Sequence, residues 1–307
     1  MADQDFAFKG VYSAALTPLK DDLSPDLRLM ADHCKWLLAN GADGLAILGT
    51  TGEANSFSVA ERVAILEGLS EAGVPGSAVM PGTGCCAIPD AVELTKKAVE
   101  LGTGGVLMLP PFYYKNPSED GLFAAYSEVI QRVGEAGLKI CLYHFPQMSS
   151  VPITYALIER LLKAYPGTVV GMKDSSGDLD NMTGAAREFP GFAVFSGSDE
   201  LLLPLLKDGG AGCITACANV ASSLAAQVYK GFLDGTDIQA THEILTAVRS
   251  QICQFPLSSA LKTLMSRHSA NGQWLNIRPP LVPMSGADIE KLFAGFDAIG
   301  FDLPLAA

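Results

Sequence analysis

Short apolar runs alternate along this chain with segments whose apolar residues fall three and four apart. The runs are VYSAALTP (11–18), GLAILG (44–49), GSAVMPG (76–82), GGVLMLPP (104–111), LKICLYHFP (138–146), TVVGMKD (168–174), FAVFSGSD (192–199) and AGCITACAN (211–219). Between them lie segments such as SVAERVAILEGLSEAG (58–73) and PDAVELTKKAVELG (89–102), apolar on one face and charged on the other at the helical period. In the first of these, Val59, Val63, Leu66 and Leu69 form the predicted buried stripe. Strands apolar on both faces that alternate with helices build a parallel sheet covered by helices. Eight such units in roughly 220 residues predict an α/β fold, a (β/α)8 TIM barrel with a C-terminal helical extension. A doubly wound sheet ranks lower, because no GxGxxG follows the first run. The strand runs stop near residue 220, so 1–220 reads as the barrel catalytic domain and 221–307 as helices packed on it. The piece NIRPPLVPMSG (276–286) reads as loop or edge, since proline removes a donor and fixes φ.

Composition narrows the class. The 307 residues are 49% hydrophobic and 18% charged, enough to bury a large core and too apolar for disorder. A net charge of −12 disfavours nucleic acid or an anionic membrane as partner, but leaves a small anionic substrate open. No apolar run approaches the roughly 18 residues that span a bilayer. The start, MADQDFAFKG, lacks the basic region and apolar core of a secretory leader. Cysteines 34, 85, 86, 141, 213, 217 and 253 are odd in number and make no CxxC, which points to reduced structural thiols in a cytoplasmic protein. A zinc site from Cys85, Cys86, Cys213 and Cys217 is the weaker alternative.

Candidate chemistry gathers where a barrel's strands end, at the C-terminal rim. Lys173 closes an apolar strand run, although lysine is rarely fully buried. On that segment alone, an ammonium snorkelling into water is the favoured reading. At the rim of an apolar barrel the same lysine loses hydration, which favours the free amine that attacks a ketone. The turn GTTGE offers Thr50, Thr51 and Gly52, whose hydroxyls and backbone amides suit a carboxylate without any arginine. Its plainer reading is a polar turn with Glu53 starting to cap the next helix. Tyr143, at the neighbouring strand end, suits proton transfer to and from an imine and an alkoxide. Together these residues predict a Schiff-base site for a 2-oxo acid. His144 follows Tyr143, so its side chain faces away from the barrel interior and a structural role is favoured. Asp199 and Glu200 in GSDE have a plain reading as acids at a helix N-terminus.

GTTGE, YYKNPSEDG, YHFP and GMKDSSGD occur in that order at barrel spacing. The chain thereby resembles the N-acetylneuraminate lyase and dihydrodipicolinate synthase superfamily of class I pyruvate-dependent aldolases, from GVYSAALTP near residue 11 through RPPLVPMS near 285. The resemblance implies a TIM barrel, a homotetramer built as a dimer of dimers, no metal and no organic cofactor beyond the covalent lysine imine. By position, Lys173 matches the Schiff-base lysine and Tyr143 the proton-shuttling tyrosine. Thr50 and Thr51 match the pair at the pyruvyl carboxylate. Tyr114 matches a second tyrosine that crosses a dimer interface in the synthases, and Ile214 an apolar wall of the pyruvyl pocket.

One departure decides between substrates. Dihydrodipicolinate synthases carry an arginine five residues after the shuttling tyrosine, where it holds the second substrate's carboxylate. Here that position is Met148, which cannot pair with an anion. Sialic-acid lyases and keto-deoxy sugar-acid aldolases are uncharged there, and GSDE resembles the lyases' G-x-D-E, so Asp199, Glu200 and Ser175 are expected to meet substrate hydroxyls. The expected reaction is cleavage of a 4-hydroxy-2-oxo acid, a 2-keto-3-deoxy sugar acid by preference, to pyruvate and an aldehyde. An imine-dependent dehydratase or deaminase uses the same lysine and tyrosine. Met148 and Phe145 would also suit an aromatic hydratase-aldolase, whereas dihydrodipicolinate synthase itself is disfavoured. A non-catalytic 2-oxo-acid sensor would retain neither the lysine nor the tyrosine for a reason.

Overall fold

A computed structural model describes residues 6–303. Residues 1–5 and 304–307, and with them the outer ends of the two expected domains and the first half of MADQDFAFKG, lie outside the described residues. Seven strands, β1 (Gly10–Ser13), β2 (Gly44–Leu45), β3 (Val106–Met108), β4 (Ile140–His144), β5 (Val169–Asp174), β6 (Ala193–Ser196) and β7 (Gly212–Thr215), pair in the order β2-β1-β7-β6-β5-β4-β3. Every neighbouring pair is parallel. Residues 79–83 close the ring between β2 and β3. Met80 N donates to Leu45 O (2.8 Å) and Gly82 N to Ile47 O (2.8 Å), while Leu107 N donates to Pro81 O (2.9 Å). The run expected at 76–82 thus supplies the eighth staves of the barrel without being a regular strand. It begins in a 3₁₀ turn at Gly76–Ala78, and Pro81 has no N–H to give. A Cβ on Gly82 would lie 2.2 Å from Leu48 O, so only glycine lets this segment approach.

Alternation along the strands separates two environments. Inward lie Tyr12, Ala46, Met80, Leu107, Cys141, Tyr143, Phe195 and Ile214, which fill the barrel as one apolar cluster. Outward residues pack under the helices α1 (Leu27–Ala39), α2 (Val59–Glu71), α3 (Ile88–Glu100), α4 (Glu119–Val133), α5 (Pro146–Ser149), α6 (Tyr155–Ala164), α7 (Leu179–Glu188) and α8 (Leu202–Lys207). Helix starts follow local capping chemistry. Ser58 Oγ accepts from the Glu61 amide while Glu61 accepts from the Ser58 amide, a reciprocal capping box that starts α2. The stripe on α2 is rotated from its expected place: Ile65, Leu66 and Leu69 are buried, whereas Val59 and Val63 are half-buried. Arg62 takes an inward position because its guanidinium donates to Gly82 O (2.6 Å) and Cys85 Sγ (3.2 Å).

The expected domain boundary at residue 220 falls inside α9 (Ala218–Asp234), whose backbone kinks at Ala221 and which packs on β1. The extension proper is α10 (Gln239–Ile252), α11 (Leu257–Ser269) and α12 (Gly286–Ile299), sharing one apolar cluster with α9. The segment 276–285 is non-helical, as its prolines predict. It is pinned by Arg278, which donates to Leu23 O (3.0 Å), Ser56 O (2.6 Å) and Glu61 Oε1 (2.5 Å). No helix of the described residues is long and apolar enough to cross a membrane.

Candidate active site

The register of β4, β5 and β6 sets Tyr143, Lys173 and Phe195 side by side. All three point inward, and Lys173 and Tyr143 are only 5% and 3% exposed. The snorkelling alternative for Lys173 is therefore not what the fold adopts. Its Nζ lies 3.4 Å from the Tyr143 hydroxyl and 4.4 Å from the centre of that ring. Burial by itself pushes the Tyr143 phenol up. The adjacent Lys173 ammonium and hydrogen bonds from Thr50, Ser175 and Lys173 outweigh it and hold the phenol below its usual value. Tyr143 is thus placed to give and take a proton beside the amine. Phe145 stacks on its ring at 5.8 Å.

The GTTGE turn is held from outside the barrel. Leu48 and Glu53 both sit in the left-handed region, at φ 52° and 57°, so the chain folds back sharply on either side of the two threonines. Thr17 Oγ1 donates to Gly52 O (2.8 Å) and Ser258 Oγ to Thr51 O (3.3 Å). The amides of Thr50 and Thr51 donate to no acceptor among the described residues, which leaves two N–H groups at the turn for an anion. Glu53 caps no helix with its side chain. It is buried and forms an ion pair with Lys262 of α11, itself 1% exposed, and accepts from the Arg278 amide (3.3 Å). Ile214 lines the barrel interior in the same apolar cluster as Tyr143.

The polar turn after Lys173 works outward as well. Asp174 is fully buried on the opposite face, accepting from the Ser176 amide and Asn181 Nδ2, both at 2.7 Å. His144 Nδ1 accepts from the Ile153 amide (3.0 Å), so its ring ties β4 to the chain before α6. Burial pushes the His144 imidazole below its usual value against the pull of Asp174 and Asp178. Gln147 Nε2 donates to Ser176 O (2.6 Å) and joins the short helix α5 to this turn.

Other expected site residues are placed elsewhere. Asp199 is fully buried; its carboxylate accepts from Thr215 Oγ1 (2.6 Å) and faces Arg249 at 3.5 Å. Burial pushes that carboxyl up, with Arg249 and Thr215 opposing. Glu200 accepts from Arg249 Nε at 3.0 Å. The pair is thus engaged by a side chain of the extension. Ser175 is half-buried and contributes to holding the Tyr143 phenol below its usual value. Met148 on α5 is 59% exposed. Tyr114 is 76% exposed and meets Tyr113 edge-on at 5.4 Å, away from the buried Lys173–Tyr143 pair. A single chain does not bring Tyr114 to that pair. Sequence reading missed Arg249, Lys262, Thr17 and Gln147, whose partners lie far off in the chain and leave no local signal. No group of three or more His, Cys, Asp or Glu side chains among the described residues is arranged to hold a metal.

Comparison with known proteins agrees in sequence and shape. The model of the dihydrodipicolinate synthetase family matches residues 7–297. An uncharacterized DapA-like lyase of Chloroflexus aurantiacus is 36% identical over 292 residues, 95% of this chain and 97% of that protein. The 4-hydroxy-tetrahydrodipicolinate synthase of Bacillus subtilis is 30% identical over 281 residues, 91% and 94% of the two chains. The crystal structure of dihydrodipicolinate synthase from Agrobacterium tumefaciens superposes with a TM-score of 0.87 at 32% identity, covering 94% of this chain and 99% of that one.

Proposed function

The chain belongs to the dihydrodipicolinate synthetase family and is a lyase of the pyruvate-dependent aldolase type, and we propose that it cleaves a 4-hydroxy-2-oxo acid whose aldehyde half is uncharged. The observation that carries this is the buried pair of Lys173 Nζ and the Tyr143 hydroxyl, 3.4 Å apart beside two open amides. The substrate carboxylate lies on the Thr50 and Thr51 amides, and the Lys173 amine adds to C2 and expels water as an imine. Tyr143 takes the C4 hydroxyl proton, the C3–C4 bond breaks, and the electron pair is held as the enamine of pyruvate. The aldehyde leaves, C3 is reprotonated, and water releases pyruvate from Lys173. No other cofactor enters.

Met148, exposed on α5, supports the uncharged aldehyde. An anionic second substrate would meet a thioether, which cannot pair with it, where the synthases carry arginine. A 2-keto-3-deoxy sugar acid satisfies this, its hydroxyls meeting Ser175 and Gln147 rather than Asp199 and Glu200, which Arg249 already engages. A second reading rests on the stack of Phe145 against Tyr143, which with Met148 suits an aromatic aldehyde. Chromatography of products from a 2-keto-3-deoxy sugar acid tests the first reading: pyruvate plus an aldehyde supports cleavage, and a dehydrated 2-oxo acid retaining all its carbons contradicts it. The proposal extends to assembly. Tyr113 and Tyr114 present an exposed aromatic face, which suits docking of a second copy within a homotetramer in which Tyr114 reaches the partner's site.

A further inference from the structure

Two lysines are buried among the described residues, Lys173 and Lys262. Lys173 belongs to the site, whereas Lys262 on α11 takes no part in the chemistry argued for it. Burying an ammonium is costly unless it is paired, so a buried lysine outside the reaction needs a reason. Lys262 Nζ forms the ion pair with Glu53 and donates to Asn276 O at 2.8 Å. Asn276 Nδ2 in turn donates to Leu19 O and to Asp21 Oδ1, both at 3.1 Å, which anchors the segment behind the ammonium to the loop after β1.

One face of α11 meets the GTTGE turn twice. Residues four apart lie one above the other on a helix, and Ser258 and Lys262 are so spaced. Ser258 Oγ donates to Thr51 O at 3.3 Å, across 207 residues of chain, and Lys262 holds the Glu53 carboxylate. Inside the turn, the Glu53 amide donates to Thr50 O and the Ala54 amide to Gly49 O, both at 3.1 Å. These bonds close the turn with Glu53 in the left-handed region at φ 57°. That conformation costs a residue with a Cβ and persists where its surroundings over-determine it. Lys262 on one carboxylate oxygen, and the Arg278 amide on the other at 3.3 Å, supply the constraint.

We propose that α11 positions the carboxylate turn: Ser258 and Lys262 hold Thr51 and Glu53 in place, and so set how tightly the Thr50 and Thr51 amides grip a 2-oxo acid that neither side chain touches. The inference rests on the reading of those amides as the carboxylate seat. Lys262 is thereby a positioning residue. The carboxylate is not the reacting group, so its grip is the same before and during bond cleavage, and loss of that grip falls on affinity.

Titration calorimetry of pyruvate into the full chain, beside urea unfolding of the same variants, tests this. Lys262→Met should weaken pyruvate binding about tenfold, the worth of one hydrogen bond to a charged group. The double variant Glu53→Gln/Lys262→Met removes the stranded charge together with the clamp. It should recover much of the stability and none of the affinity. Ser258→Ala, which strands no charge, should weaken binding about threefold. Leu245→Ala opens a cavity in the apolar cluster that α10 shares with α9, and should lose stability yet bind pyruvate like wild type. Wild-type affinity in the double variant, or an equal fall in Leu245→Ala, overturns the proposal. Borohydride labelling of Lys173 reports separately on the imine. A wild type that binds pyruvate without being labelled contradicts the reaction and leaves the positioning role to the calorimetry; one that binds no pyruvate overturns both.

Discussion

Glu53, the last residue of the carboxylate turn, and Lys262, in the middle of α11, form an ion pair buried on both sides. The pair fastens the extension to the floor of the site. Burial pushes the Lys262 ammonium below its usual value, against the pull of Glu53. Removing one partner of such a pair costs about 3–5 kcal/mol, because the other charge is stranded. Lys262→Met should lose stability on that scale by urea unfolding, and adding Glu53→Gln should restore a large part. Equal losses in the single and double variants would mean that the stranded charge is not the cause.

Gly52→Ala should disturb the turn without unfolding the barrel. A Cβ there would lie 2.8 Å from Ala15 O and 3.3 Å from Thr17 Oγ1, and the first of these is backbone. The turn must shift, and with it the amides of Thr50 and Thr51. We expect KM for the 2-oxo acid to rise about tenfold, the worth of one hydrogen bond to a charged group, with kcat less affected. Steady-state kinetics that show a fall in kcat alone would place the damage elsewhere.

Tyr143→Phe should lower turnover by about 10²–10⁴, the usual contribution of one positioned acid-base group. The phenol is held below its ordinary 10.0, so its base form appears earlier as pH rises. The rising limb of kcat/KM that belongs to Tyr143 therefore lies below pH 10. Thr50→Val removes one of the hydrogen bonds that lower it and should move that limb upward. A limb unmoved in Thr50→Val would detach Thr50 from the proton carrier.

His33 carries a prediction about acid stability. Its folded value of about 4 lies below the ordinary 6.5, through burial first and the nearby His268 besides, with the Asn219 bond opposing. The unfolded chain therefore takes up the proton first, so stability falls as pH drops from 6.5 to 4, by up to roughly 3 kcal/mol. Urea midpoints of His33→Gln should fall less steeply across that window than wild type. Parallel slopes would contradict the assignment.

The fold and the buried Lys173–Tyr143 pair were legible because their signals are local. Period-2 alternation puts Tyr143 and Lys173 inward and His144 and Asp174 outward, as β4 and β5 confirm. The irregular closure at 79–83 was not legible, since an apolar run does not announce whether Pro81 can pair. Arg62 broke the α2 stripe because its acceptors at Gly82 and Cys85 lie 20 and 23 residues on. For the same reason Asp199 and Glu200 read as rim acids, until Arg249, 49 residues beyond Glu200, engaged them.

The most direct test of the central claim is borohydride reduction of the full chain with pyruvate, read by intact mass and peptide mapping. The account predicts one reduced pyruvyl adduct per chain, located on Lys173 and absent from Lys173→Ala. No adduct under conditions that label a known aldolase of this type, or an adduct on another lysine, would contradict it.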